Sequence, residues 1–256
     1  MEDIRRDHEC FSTNYKYVQF KDENFKFKTH FNRNKKVFEV EKNSKCVFSL
    51  LNKISKSNYE SIKNKIFLCL DNVELDVFVE KLLVYSEMSD LYTELISNIL
   101  YELKTQKNVN IQLNFDLYIQ KYFDFLNYEN LLTSIQQLDY DDYDQFCLYK
   151  KTSLHRINML RTIISILFKF NFNNTPTLIP DVFDNLLQNI NKLCDSDVNN
   201  KKIFIFEHMT HIELIIRKFT IYNQQTLLNT CEKVKLLNDY KLKFKIEDIV
   251  AMHNKK

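Results

Sequence analysis

The sequence predicts an all-α fold: about five antiparallel helical hairpins stacked side by side, with a non-helical arm ahead of them. Three observations carry this. Apolar residues recur at helical spacing from about residue 45 onward. The 256 residues include no glycine and only two prolines. The helical segments come in pairs, each pair spanning roughly 40 residues, as in helical-hairpin repeats.

The periodicity can be followed along the chain. Leu75, Phe78, Val79 and Leu82 share one face, and Leu91, Tyr92, Leu95, Ile96, Ile99, Leu100 and Leu103 form the next. Ile157, Leu160, Ile163, Ile164, Leu167 and Phe168 repeat the pattern. Val182, Phe183, Leu186, Leu187, Ile190 and Leu193 follow Pro180, which is expected near a helix start. Met209, Ile212, Ile216 and Phe219 make another face, then Leu227, Leu228, Cys231 and Val234, and last Phe244, Ile246, Ile249 and Val250. One hairpin cannot bury its apolar face alone, so neighbours must stack. The expectation is a HEAT-like solenoid over residues 45–256, with the arm over residues 1–44.

The missing glycines have chemical consequences. Phosphate loops and dinucleotide fingerprints need close backbone approach and positive φ, which glycine supplies without steric cost. P-loop, Rossmann and kinase-type nucleotide sites are therefore excluded. Turns must use Asn and Asp, and Asn108-Val109-Asn110, Asn173-Asn174 and Asn199-Asn200 stand at expected helix ends. Asn, Lys, Ile, Phe and Tyr are abundant and Ala occurs only as Ala251, a bias toward AT-rich codons such as those of protists, parasites or large DNA viruses.

The formal net charge is +2, so any anion-binding surface must be local. Cys10, Cys46, Cys69, Cys147, Cys194 and Cys231 show neither zinc spacing nor a CxxC pair, which fits reduced thiols. The charged start from Glu2 to Asp7 does not read as a signal peptide, and no apolar run is long enough to span a membrane. A cytoplasmic protein is expected, in the host cytoplasm if the genome is viral.

Catalytic and metal motifs fail on spacing. Glu207, His208 and His211 place the histidines three apart with the glutamate first, unlike the zinc-protease helix, and read as helix-surface residues. Asp139 to Asp144 lacks the glycine and the distal glutamate of a calcium loop, and reads as a solvated loop before a helix beginning near Gln145. Cys147 and His155 would lie about 12 Å apart along one helix, too far for a nucleophile and its base. No catalytic residue, metal or cofactor is expected. The arm differs: Lys26 and Lys28 alternate with phenylalanines, Arg33, Lys35 and Lys36 follow, and no acid intervenes, a pattern suited to single-stranded RNA. The competing expectation is an arm whose phenylalanines pack on the helices.

Several segments, taken in order, resemble the middle domain of the translation initiation factor 4G family. Leu51, Asn52, Lys53 and Ile54 match its first-helix run, with Ser55 or Ser57 as the following cap and Tyr59 as the aromatic on the next helix. Val77 to Lys81, Met88 to Leu95, Val109 to Phe115 and Gln120 to Phe123 resemble successive later segments. Lys150 to Arg156 resembles the basic tract before a helix ending in Leu167, Phe168 and Lys169, and Phe244 to Val250 resembles the final helix. Bulky Met159 and Leu160 replace small residues, and His253 stands where the family usually has arginine.

The resemblance implies a non-catalytic scaffold that grips a DEAD-box RNA helicase of the initiation factor 4A type and favours its active conformation. Asn52, Lys53 and Tyr59 would face one helicase lobe, and Asp248 and His253 the other. Lys150, Lys151 and Arg156 would meet RNA or acidic partner residues. Related scaffolds of splicing, mRNA decay or nuclear cap binding, and a generic helical adaptor, remain the alternatives. A cap-binding peptide pattern fits Tyr222 with Leu227 and Leu228, and more loosely Tyr143 with Leu148 and Tyr149, but Leu227 and Leu228 are expected in the core. Recruitment of a cap-binding protein would then be absent, or would fall to the N-terminal arm.

Overall fold

The computed structural model describes residues 47–70, 73–139, 142–170, 175–220 and 222–255, and no strand occurs among them. The arm, with Lys26, Lys28, Arg33, Lys35 and Lys36, lies outside the described residues, as do Asn173 and Asn174. Residues 47–51 are helical (α1). Then follow α2 (Tyr59–Cys69), α3 (Leu75–Ser86), α4 (Asp90–Lys107), α5 (Gln112–Leu126) and α6 (Tyr128–Gln137). The second half holds α7 (Tyr143–Phe170), α8 (Thr175–Asp195), α9 (Lys201–Lys218), α10 (Gln224–Lys235) and α11 (Tyr240–Asn254).

With no glycine to end a helix, the left-handed positions fall to asparagine. Asn108 (φ 53°), Asn200 (φ 61°) and Asn238 (φ 49°) take them, because a short polar side chain tolerates that region better than others. The first two stand in the expected turns, and Asn238 adds a third. Side chains cap the starts: Ser89 accepts from Leu91 N (3.1 Å), and Asp142 accepts from Asp144 N and Gln145 N. Asp142 thus ends the acidic loop as a helix cap, and α7 begins two residues before Gln145. The expected serine cap of α2 is corrected. Asn58 holds that position, and its side chain closes the preceding loop through Ser55 N (2.7 Å) and Lys53 O (2.8 Å). Pro180 lies inside α8 rather than at its start, five residues after Thr175.

Neighbouring helices pack as hairpins in α3/α4, α5/α6, α8/α9 and α10/α11. Alternate helices also pack in succession, α3 on α5, α5 on α7, α7 on α9 and α9 on α11. Helix α7, with 28 residues, breaks the simple pairing because it lies along α4 and also touches α3. Ring contacts fix direction. Tyr149 meets Phe204 near the starts of α7 and α9 (4.8 Å), and Phe168 stacks on Phe219 near their ends (5.0 Å), so the two run parallel. Helix α11 runs parallel to α9: Tyr240 shares a groove with Phe206, and His253 meets Tyr222 beyond the end of α9.

One core runs from Val47 to Ile249. It contains the expected faces of α4, α7, α8 and α9, including Leu100, Ile163, Leu186 and Ile212. Each such side chain contributes ~1.5–3 kcal/mol on burial. Two expected core residues stand largely exposed instead. Phe168 is 55% exposed, its ring stacked on Phe219 just past the end of α9, and Phe244 is 62% exposed on the outer side of α11.

Candidate functional site

Asn52 and Lys53 lie exposed in the turn between α1 and α2. Tyr59 is half-buried at the start of α2, and burial pushes its phenol pKa up. Lys63 lies 5.3 Å from the Tyr59 ring centre and bonds Glu60 (2.6 Å) and Glu102. At the other end of the chain, Asp248 is exposed on α11. His253 is half-buried, with Nδ1 3.0 Å from the Tyr222 hydroxyl. Tyr222 therefore serves α11, and Leu227 is fully buried, so the cap-binding pattern there has no free apolar anchor at Leu227.

The basic tract divides. Lys150 and Lys151 are exposed on α7, and Lys150 Nζ sits 5.0 Å from the Phe146 ring centre. Arg156 turns the other way, a correction to its reading as a nucleic-acid contact. Its side chain is 12% exposed and forks onto Glu207 through Nε (2.5 Å) and Nη2 (2.8 Å). Position on the helix decides this: Arg156 shares the inner side of α7 with Tyr149, whose hydroxyl donates to Glu207 at 2.7 Å.

Glu207 anchors a buried polar centre where surface histidines were expected. His208 and His211 are both buried, because α7, α8 and α11 cover α9. His208 Nδ1 lies 2.9 Å from Phe204 O, a carbonyl that only accepts, so Nδ1 carries the proton. His211 Nδ1 meets the Tyr122 hydroxyl at 2.8 Å, and Nε2 of each histidine is buried without a hydrogen-bond partner. Burial would push the Glu207 carboxyl up, but the bonds and charge of Arg156 outweigh it and hold the pKa at about 2. Burial pushes both histidines down, His211 to about 3, against the pull of Glu207. Both imidazoles are neutral at pH 7. Among the described residues no three metal-ligating side chains converge. The cluster is enclosed, so its chemistry is structural: it fixes α7 against α9.

An open concavity lies elsewhere, at the edge where α7, α9 and α11 all begin. Phe146, Lys150, Lys202, Phe206, Tyr240 and Lys241 line a groove of about 740 Å³. Of these, Lys150 alone stands out in the sequence, as part of a basic run. Lys201 is tied back to the carbonyls of Cys194 and Ser196, and Asp239 caps α11 through Lys241 N and Leu242 N. Cys147, Cys194 and Cys231 are free thiols, and burial raises Cys231 to about 11, which leaves it a neutral core side chain.

Among the described residues, fold and surface together define an all-helical protein that encloses the Glu207 cluster and leaves a basic, ring-lined groove open. No helix among the described residues is long and apolar enough to cross a membrane. Compared with protein-family models, curated proteins and solved structures, the chain matches none.

Proposed function

We propose that the chain is a scaffold of the initiation factor 4G middle-domain kind, which holds a DEAD-box RNA helicase of the initiation factor 4A type and favours its active conformation. The observation that carries this reading is the succession α3, α5, α7, α9 and α11, each packed on the next, with hairpins between them. Such packing supports a HEAT-like solenoid, which displays hairpin ends in rows for a large partner. Asn52 and Lys53 before α2, and Asp248 on α11, are exposed at early and late hairpins. A partner gripped at two separated places is shifted toward whichever of its states fits both grips, by no more than the difference in affinity.

The test is capture of purified initiation factor 4A with ATPase readout. The expected result is binding and stimulated ATP hydrolysis, weakened by the pair Lys53→Glu and Asp248→Lys. Absence of both binding and stimulation sinks the proposal. Selective capture of a splicing or decay helicase instead would move the protein to a related scaffold class.

A further inference from the structure

We infer that the groove at the shared starting edge of α7, α9 and α11 binds single-stranded RNA, with Tyr240 and Phe206 as stacking platforms and Lys150, Lys202 and Lys241 as phosphate contacts. The parallel stacking of these three helices brings the residues together from positions about 90 apart in sequence, roughly as repeat stacking does elsewhere. Tyr240 is 67% exposed and Phe206 39%, unusual for large rings lining a concave surface. The three lysines are exposed. Lys241 lies 5.9 Å from the Tyr240 ring centre, and Lys202 keeps only a long contact of 3.9 Å to Asp239.

Alternating cations and ring faces match a single strand, which offers a phosphate and a flat base at each step. The helix starts add to the field, because the positive ends of three parallel macrodipoles meet there. Aspartates offset part of that charge at α7, through the Asp142 cap and Asp144, and at α11, through the Asp239 cap, whereas the Asn200 side chain does not cap α9.

Two competing occupants and one competing site fit less well. An acidic peptide would use the lysines but not the rings. The chain's own arm carries five Lys/Arg and no acid between residues 25 and 36, so like charge opposes its docking. A second cleft of about 420 Å³ lies near the ends of α7 and α9, but its arginines are engaged, Arg161 with Asn158 and Arg217 with Glu213, and Phe168 is stacked on Phe219.

The inference does not depend on the helicase reading, and its test uses the full chain without helicase. Fluorescence anisotropy of a labelled oligouridine should show saturable binding, with log K falling against log salt at a slope of about −2 for three neutralised phosphates. Tyr240→Ala should weaken binding about tenfold. Lys150→Glu, on a different helix, should weaken it by a similar factor and flatten the slope by ~0.7. Oligothymidine should bind comparably, since stacking and phosphate contact tolerate either sugar. Ultraviolet crosslinks are expected at Tyr240 and Phe206. Wild-type affinity in both variants, crosslinks confined to residues 25–36, or equal competition by polyglutamate would each overturn the inference. Failure of helicase capture leaves it untouched.

Discussion

Two glutamates on α9, Glu207 and Glu213, sit six residues apart and both pair with arginine, yet they do different work. Glu207 is sealed in: its side chain is 3% exposed, and the charge that answers it comes from Arg156 on α7. Glu213 sits at the margin, 11% exposed, and shares two cations, Arg217 from the next turn and Lys245 from α11. Arg217 is itself 56% exposed. A single-sourced buried pair is brittle, because removing one partner strands a charge in a medium that cannot solvate it. A shared pair at the edge is tolerant, because the second cation and water fill in.

The sharpest way to break this contrast is Arg156→Ala or Glu207→Ala. Either is expected to cost ~3–5 kcal/mol, a large part of the ~5–15 kcal/mol that holds a typical domain. Urea unfolding monitored by circular dichroism measures it. The double change Arg156→Met with Glu207→Leu should recover most of the loss, since an apolar pair of similar volume strands no charge. A double variant as unstable as the singles would show that packing, not charge, governs the seam.

Acid probes the same centre without mutation. Glu207, His208 and His211 all have folded pKa values below their unfolded ones. The unfolded chain therefore takes up protons first, and stability falls as pH falls. The histidine contribution should be complete above ~6.5 and decline from there toward about 3; the Glu207 contribution declines from ~4.3 toward about 2. The urea midpoint should drop between pH 7.5 and pH 5, where carboxylates remain ionised. His211→Asn should flatten that drop, and an unchanged slope would remove His211 from the account.

Smaller effects refine the comparison. Tyr149→Phe deletes one hydrogen bond to the Glu207 carboxylate and should cost ~1.5–3 kcal/mol, read from the same unfolding curves. Arg217→Ala should stay within ~1 kcal/mol, because Lys245 still answers Glu213. A loss at Arg217 as large as that at Arg156 would erase the distinction between the two glutamates.

The helices were legible because burial repeats with the helical period: Leu95, Ile96, Ile99 and Leu103 read as one face and form one. So were the turns at Asn108 and Asn200, where the lack of glycine leaves asparagine as the least strained left-handed residue. Phe168 and Phe244 fit the same period but lie at helix margins, where coverage depends on how far the neighbour extends. Arg156 looked like Lys150 and Lys151 because a charge run shows no inside or outside until the helix is rotated against its partner. His208 and His211 looked like surface residues for the same reason.

The amino-acid sequence by itself determined that this chain is helical from its forties onward, where several of its helices turn, and which glycine-containing motifs it lacks. Those follow from local properties: side-chain period, backbone preference and missing residue types. The tertiary structure alone decided that Arg156 answers Glu207 and that Tyr240 on α11 stands beside Phe206 on α9 and Lys150 on α7. Residues so distant in the chain meet only when parallel helices stack in register, and that register depends on many weak apolar contacts acting together rather than on any local signal.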